Sequence, residues 1–193
     1  MNDDAPSNYL DKVAEELAAI GGLNVRHEAA RLRGAYLTRW MDLELNLDEL
    51  IAEYLEVPES KRSAMIEGFL PLVASARAKV EFVNIIVKRV DPDSDAYRLA
   101  RKAQETRNAL AHRAAPLAHI PGAGEAASIP FYVYRHGEQQ RTHIVADEAL
   151  ALVDAANEAI FQLTLKARPD YAERQQQRTL DMVENMGKKR PNV

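Results

Sequence analysis

Apolar side chains recur along most of this chain at helical spacing. Tyr36, Trp40, Leu43, Leu47, Leu50 and Tyr54 follow one another at steps of 4, 3, 4, 3 and 4, which places them on one face of a long helix. From Val25 to Val57 there is no proline and the only glycine is Gly34, and Pro58 is the expected stop. A second stripe, Val73, Ala76, Val80, Val83, Val87 and Val90, begins behind Pro71 and ends at Asp91-Pro92. Ser94 or Asp95 is placed to cap a third helix, with Leu99, Ala103, Thr106 and Leu110 on one face.

The pattern then changes. Pro116, Pro121, Gly122, Gly124 and Pro130 make Ala114–Pro130 read as a loop. Ile129–Arg135 and Gln139–Val145, joined through His136-Gly137-Glu138, read as a β-hairpin. Asp147 is the expected N-cap of a last main helix through Leu165, with Leu150, Val153, Ile160 and Leu163 inward. Pro169 separates it from a polar tail helix. The fold class expected is mainly all-α. One helical domain spans 1–193, with a core over about 25–167, a hairpin over about 129–145 inserted before the last main helix, and a tail helix over about 169–187.

Composition sharpens this reading. The chain has 193 residues, 47% hydrophobic and 28% charged, enough for one core of ordinary globular composition. The absence of cysteine excludes a disulfide scaffold, a thiolate metal site and a Cys nucleophile together. No apolar run approaches the roughly 18 residues of a bilayer span, and the acidic Met1-Asn2-Asp3-Asp4 start is unlike a signal peptide. A cytoplasmic protein with no membrane partner is the expectation.

Net charge is −4, which argues against a surface that coats nucleic acid broadly. The charge is unevenly placed, however: residues 1–60 carry a net −8 and the remainder +4. Within Tyr97–Arg113 stand Arg98, Arg101, Lys102, Arg107 and Arg113 against Glu105 alone. Such a patch suits one phosphate-bearing ligand, and equally a solvated helix face paired with the acidic first third.

The chemistry concentrates in Arg107-Asn108-Ala109-Leu110-Ala111-His112. A forked guanidinium can hold a scissile phosphate, and an imidazole can move a proton near neutral pH. Five residues of regular helix set Arg107 and His112 about 140° apart, so they share a side only where the helix ends. Pro116 follows closely enough to end it. The alternative is an arginine bridging to a carboxylate and a histidine at a helix C-terminus. None of the gaps among His27, His112, His119, His136 and His143 has the helical spacing of a metal pair, so neither metal nor cofactor is expected. The stripe of Tyr36, Trp40 and Tyr54 reads as core or dimer interface, and Tyr132 and Tyr134 as packing against the helices.

The segment Arg107–His112 resembles the R-x4-6-H signature of the HEPN superfamily, in its R-N-x-x-A-H form. Leu47–Leu55 looks like the first core helix of such proteins, and Phe69–Val87 with Lys79 like the helix before the motif. Val73-Ala74-Ser75-Ala76-Arg77 departs from the usual Ser-Phe lead-in. The resemblance covers roughly residues 30–167. It implies a helical homodimer acting as a metal-independent endoribonuclease, a toxin or antiphage effector held by an antitoxin protein. Arg107 and His112 would be its catalytic pair and Asn108 an orienting residue, with Lys79 structural or pointing into the cleft; the local positive charge adds Arg101, Lys102 and Arg113 as binding residues beside Lys79. The rival expectations are a non-catalytic helical module that binds a nucleotide, nucleic acid or partner protein, and a plain dimerisation scaffold.

Overall fold

A computed structural model describes residues 5–112, 128–135 and 138–188, with side chains placed over 30–111 and 144–181 and at 183 and 184. Among the described residues the chain is all-α apart from one pair of strands. The helices are α1 (Ala5–Tyr54), α2 (Glu59–Ser63), α3 (Leu70–Val73), α4 (Ala76–Val90), α5 (Ala96–His112), α6 (Ala146–Ala167) and α7 (Tyr171–Lys188). A π-helical turn, Ala64–Phe69, joins α2 to α3. Strands β1 (Ser128–Arg135) and β2 (Glu138–Val145) pair antiparallel, from Ser128 opposite Val145 to Arg135 opposite Glu138. The expected loop Ala114–Pro130 lies outside the described residues up to 127, and its last three residues belong to β1; the turn residues His136 and Gly137, and Lys189 and Arg190, also lie outside them.

The helix α1 starts well before the expected Val25. Each glycine of Gly21-Gly22 costs about 1 kcal/mol in a helix, which the cooperative turns on either side absorb. It also stops before Pro58. Proline bars its predecessor from the helical region, so the chain must unwind earlier. Glu56 takes a left-handed φ of 55°, and the Val57 amide donates back to the Ala52 carbonyl at 3.0 Å.

The break between α3 and α4 corrects the second stripe. Ser75 caps α4, its hydroxyl accepting from the Ala78 amide at 3.2 Å. Val73 therefore belongs to α3 and is exposed, while Val80, Val83 and Val87 are buried. At the start of α5, Ser94 Oγ accepts from the Ala96 amide at 3.3 Å, and the Asp95 carboxylate instead holds Arg98 Nε at 2.8 Å. The helix α6 follows β2 without a gap, so Asp147 lies in its first turn rather than at its cap. There, beside Glu148, it faces the positive end of the helix dipole.

The residues group into two compact units, 1–41 with 102–154, and 42–101 with 155–193. In the first unit the buried side chains are Leu32, Tyr36 and Trp40 of α1, Ala103 and Leu110 of α5, and Ala149 and Val153 of α6. In the second they are Leu43, Leu47 and Leu50 of α1, Val80, Val83 and Ile86 of α4, and Ile160 and Leu163 of α6. The α1 stripe thus contributes to both units. Among the described residues no helix is long and apolar enough to cross a membrane.

Charge is also buried in the second unit. Lys79 is 2% exposed, and its ammonium donates to Asp48 Oδ2 at 2.7 Å and lies 3.5 Å from Glu44. Burial pushes the Asp48 carboxyl above the usual carboxylate range, against the pull of Lys79. A buried pair adds little net stability, but removing one partner strands the other. Lys79→Met is expected to destabilise the protein by about 3–5 kcal/mol in urea unfolding. Adding Asp48→Leu is expected to restore most of that loss. A double variant no more stable than Lys79→Met would show that the pair is not what holds these helices.

Candidate functional site

The buried residues Ala96, Ala100, Ala103 and Leu110 of α5 follow one another at steps of 4, 3 and 7. The step of 7 skips one turn, and the residue standing there is Arg107. Its Cα–Cβ bond therefore points along the inward stripe of the helix. An apolar side chain would be ordinary at this place. The arginine is half-buried, and its Nε is buried with no hydrogen-bond acceptor among the described residues. Its Nη1 donates to Asn108 Oδ1 at 3.1 Å. Asn108 is uncharged, and no carboxylate among the described residues pairs with Arg107.

The backbone under Arg107 is held from α1. Tyr36 is fully buried, and its hydroxyl donates to the Ala103 carbonyl at 2.8 Å. That carbonyl lies one helical turn before Arg107 and is the acceptor for the Arg107 amide in the helix. The neighbouring Thr106 hydroxyl donates to the Lys102 carbonyl at 3.0 Å. Gln104 lies on the same side of α5, one turn before Asn108, and is nine-tenths buried.

The other expected site residues are dispersed. His112 is the last residue of α5, and its side chain lies outside the described residues. The backbone is helical through His112, so the five steps from Arg107 amount to about 140° around the axis. Arg113 lies outside the described residues altogether. Arg101 and Lys102 are exposed, and Arg101 Nη1 donates to the Tyr97 hydroxyl at 3.4 Å. Lys79 belongs to the second unit, where its ammonium is taken up by Asp48. Of the expected site, the structure brings together Arg107 and Asn108. Tyr36 was not read as a site residue, being hidden in an apolar stripe.

Arginines of the second unit are paired with carboxylates. Arg62 is 5% exposed and meets Glu53 at 2.7 Å and also Glu49. Arg174 reaches Glu53 at 2.5 Å and Asp170 at 2.9 Å, and Arg178 reaches Glu59 at 2.5 Å. An open cleft of about 480 Å³ lies over this network, lined by Glu53, Glu59, Arg168, Arg174 and Arg178 among others. Its charges are spent on one another. Arg107 differs in having a neutral partner only.

No protein-family model, no curated protein and no solved structure matches this chain.

The buried Tyr36 has a consequence for stability. Burial pushes its hydroxyl well above the ordinary tyrosine range, with the Thr106 side chain pulling weakly the other way. The folded form is thus the weaker acid. Its stabilisation is complete below the unfolded value of about 10 and is lost as pH rises beyond it. Urea midpoints are expected to fall between about pH 9 and pH 11, and to fall less for Tyr36→Phe. Tyr171, also raised by burial, keeps part of the decline in the variant. Equal slopes for parent and variant would show that Tyr36 does not carry this limb.

Proposed function

We propose that this chain is an endoribonuclease of the HEPN type that cuts RNA without a metal ion, with Arg107 and His112 as its catalytic pair. The observation that carries the reading is the Arg107 guanidinium on the inward stripe of α5, with a buried Nε–H and no carboxylate partner among the described residues. A buried N–H without an acceptor is costly, and a phosphodiester supplies both an acceptor and a counter-charge. The main alternative, an arginine spent on a carboxylate, is what Arg62, Arg174 and Arg178 do and Arg107 does not.

In the reaction proposed, His112 takes the proton of a ribose 2′-hydroxyl. The 2′-oxygen attacks the adjacent phosphorus, the bond to the 5′-oxygen breaks, and that oxygen receives a proton. The products are a 2′,3′-cyclic phosphate and a 5′-hydroxyl. Arg107 holds the phosphate and the charge that develops on it, and Asn108 fixes the guanidinium through Nη1. The 140° between Arg107 and His112 on one helix is the reason to place the working site between two copies of the chain. The partner copy brings a second set of groups to the same phosphate. Arg101 and Lys102 add positive potential along α5. Lys79 serves the reading as the buried counter-ion of Asp48, not as a contact to RNA. An antitoxin protein is the expected silencing partner in a growth-arrest or antiphage setting.

The test is cleavage of a single-stranded oligoribonucleotide in the presence of EDTA. The parent protein is expected to yield 2′,3′-cyclic phosphate ends. Arg107→Ala and His112→Ala are each expected to slow the reaction by about 10²-fold or more. Alanine variants that cut as fast as the parent, or a parent that leaves the RNA intact, would remove this reading. The second result would leave a binding module.

A further inference from the structure

We propose that Arg33 is a second anion-binding residue, completing with Arg107 a two-guanidinium site for one phosphate group. The inference deepens the reading of Arg107 as a phosphate receptor and rests on it.

Arg33 is half-buried, and its Nε is buried without a hydrogen-bond partner, as is that of Arg107. Arg62 and Arg174 also carry an unpartnered Nε, but carboxylates meet the rest of their guanidinium groups. No carboxylate among the described residues pairs with Arg33 or Arg107. The two belong to one compact unit, which holds 1–41 and 102–154.

The Tyr36 hydroxyl shows how α1 and α5 face each other there. It donates to the Ala103 carbonyl at 2.8 Å and also meets the Thr106 side chain. The first unit holds the early part of α1 with the late part of α5, and the second holds the remainder of each, so the two helices run antiparallel. Arg33 stands three residues before Tyr36, and Arg107 four after Ala103. In antiparallel helices those steps lead the same way along the axes, by about 4.5 Å and about 6 Å. Around the axes, Arg33 is turned about 60° from Tyr36 and Arg107 about 40° from Ala103. Both arginines therefore leave their helices at nearly one level, on the sides that face each other.

Two guanidinium groups so placed repel each other, and neither brings a counter-charge. One anion between them answers both. A phosphate has several oxygens and can accept from two forks at once. In the cleavage proposed above, the attacked phosphodiester passes from one negative charge towards two, and the second guanidinium meets the charge that is gained.

The test follows the side-chain Nε–H signals of Arg33 and Arg107 by NMR while the full-length parent is titrated. Their loss in Arg33→Lys and Arg107→Lys assigns them. One titrant is inorganic phosphate. The other is a 2′-O-methyl oligoribonucleotide, which has phosphodiesters and no 2′-hydroxyl to attack. Both signals are expected to shift with one midpoint. Arg33→Gln is expected to weaken binding about 10-fold or more, the worth of a charge-assisted hydrogen bond. Arg33→Lys, which keeps the charge and loses the fork, is expected to recover part of that. Tighter binding of the oligonucleotide assigns the site to a chain phosphodiester, and tighter binding of phosphate to a free or terminal one. An Arg33 signal that stays in place while Arg107 shifts, or that moves with a different midpoint, would overturn the proposal and leave Arg107 as a lone receptor. An Arg33→Gln protein that binds as tightly as the parent would overturn it too, as would a parent that binds neither titrant. Failure of RNA cleavage strikes the ribonuclease reading instead, and leaves the titration to decide on Arg33.

Discussion

A guanidinium stands where the packing of α5 calls for an apolar side chain, and the account of this protein depends on that placement. Ala96, Ala100, Ala103 and Leu110 line the inward face of the helix, and Arg107 fills the turn they leave open. Its Nε–H is buried without an acceptor, which is costly. Its Nη1 donates to the neutral oxygen of Asn108. The turn beneath is braced at the same time, because the Tyr36 hydroxyl holds the carbonyl to which the Arg107 amide points. A rigid backbone under an unneutralised cation is a good receptor for an anion, since little order has to be created when the anion arrives.

The rest of the molecule provides the contrast that gives the placement its weight. In the second unit, cations are matched by carboxylates: Lys79 by Asp48, Arg62 by Glu49 and Glu53, Arg174 by Glu53 and Asp170. These networks join α1 to α2, α4 and α7 and leave little charge to spare for a ligand. The acidic first third of the chain supplies many of the carboxylates. What looked in the sequence like a loose imbalance between an acidic and a basic region is, over much of its extent, internal pairing. The cleft above Glu53 is polar for that reason, and its composition alone does not make it a binding site.

Much of the architecture was legible before any coordinates. The stripe from Tyr36 to Leu50 is buried at every step, the caps around Ser94 start α5 where expected, and β1 and β2 pair within a residue of the expected bounds. These features are local, set by periodicity, proline and capping. What escaped was set by backbone accommodation or by distant partners. The π-helical turn at Ala64–Phe69 has no signature in residue type, and the left-handed position at Glu56 is not marked by glycine. Lys79 meets Asp48 across 31 positions of sequence, so its burial could not be read from its own helix. The site was half legible. The spacing of Arg107 to His112 drew attention, whereas the spacing of Arg107 to Ala103 and Leu110, equally present in the sequence, sets the arginine on the inward stripe of α5.

The central claim is that Arg107 is an anion receptor, and its most direct test is the Arg107 Nε–H signal during titration with inorganic phosphate in metal-free buffer. The signal is assigned by its loss in Arg107→Lys, and Arg98, whose charge Asp95 already meets, serves as the control. The account predicts a saturable shift at Arg107 while Arg98 stays in place. An Arg107 signal that does not move, or one that moves only in step with Arg98, would contradict it.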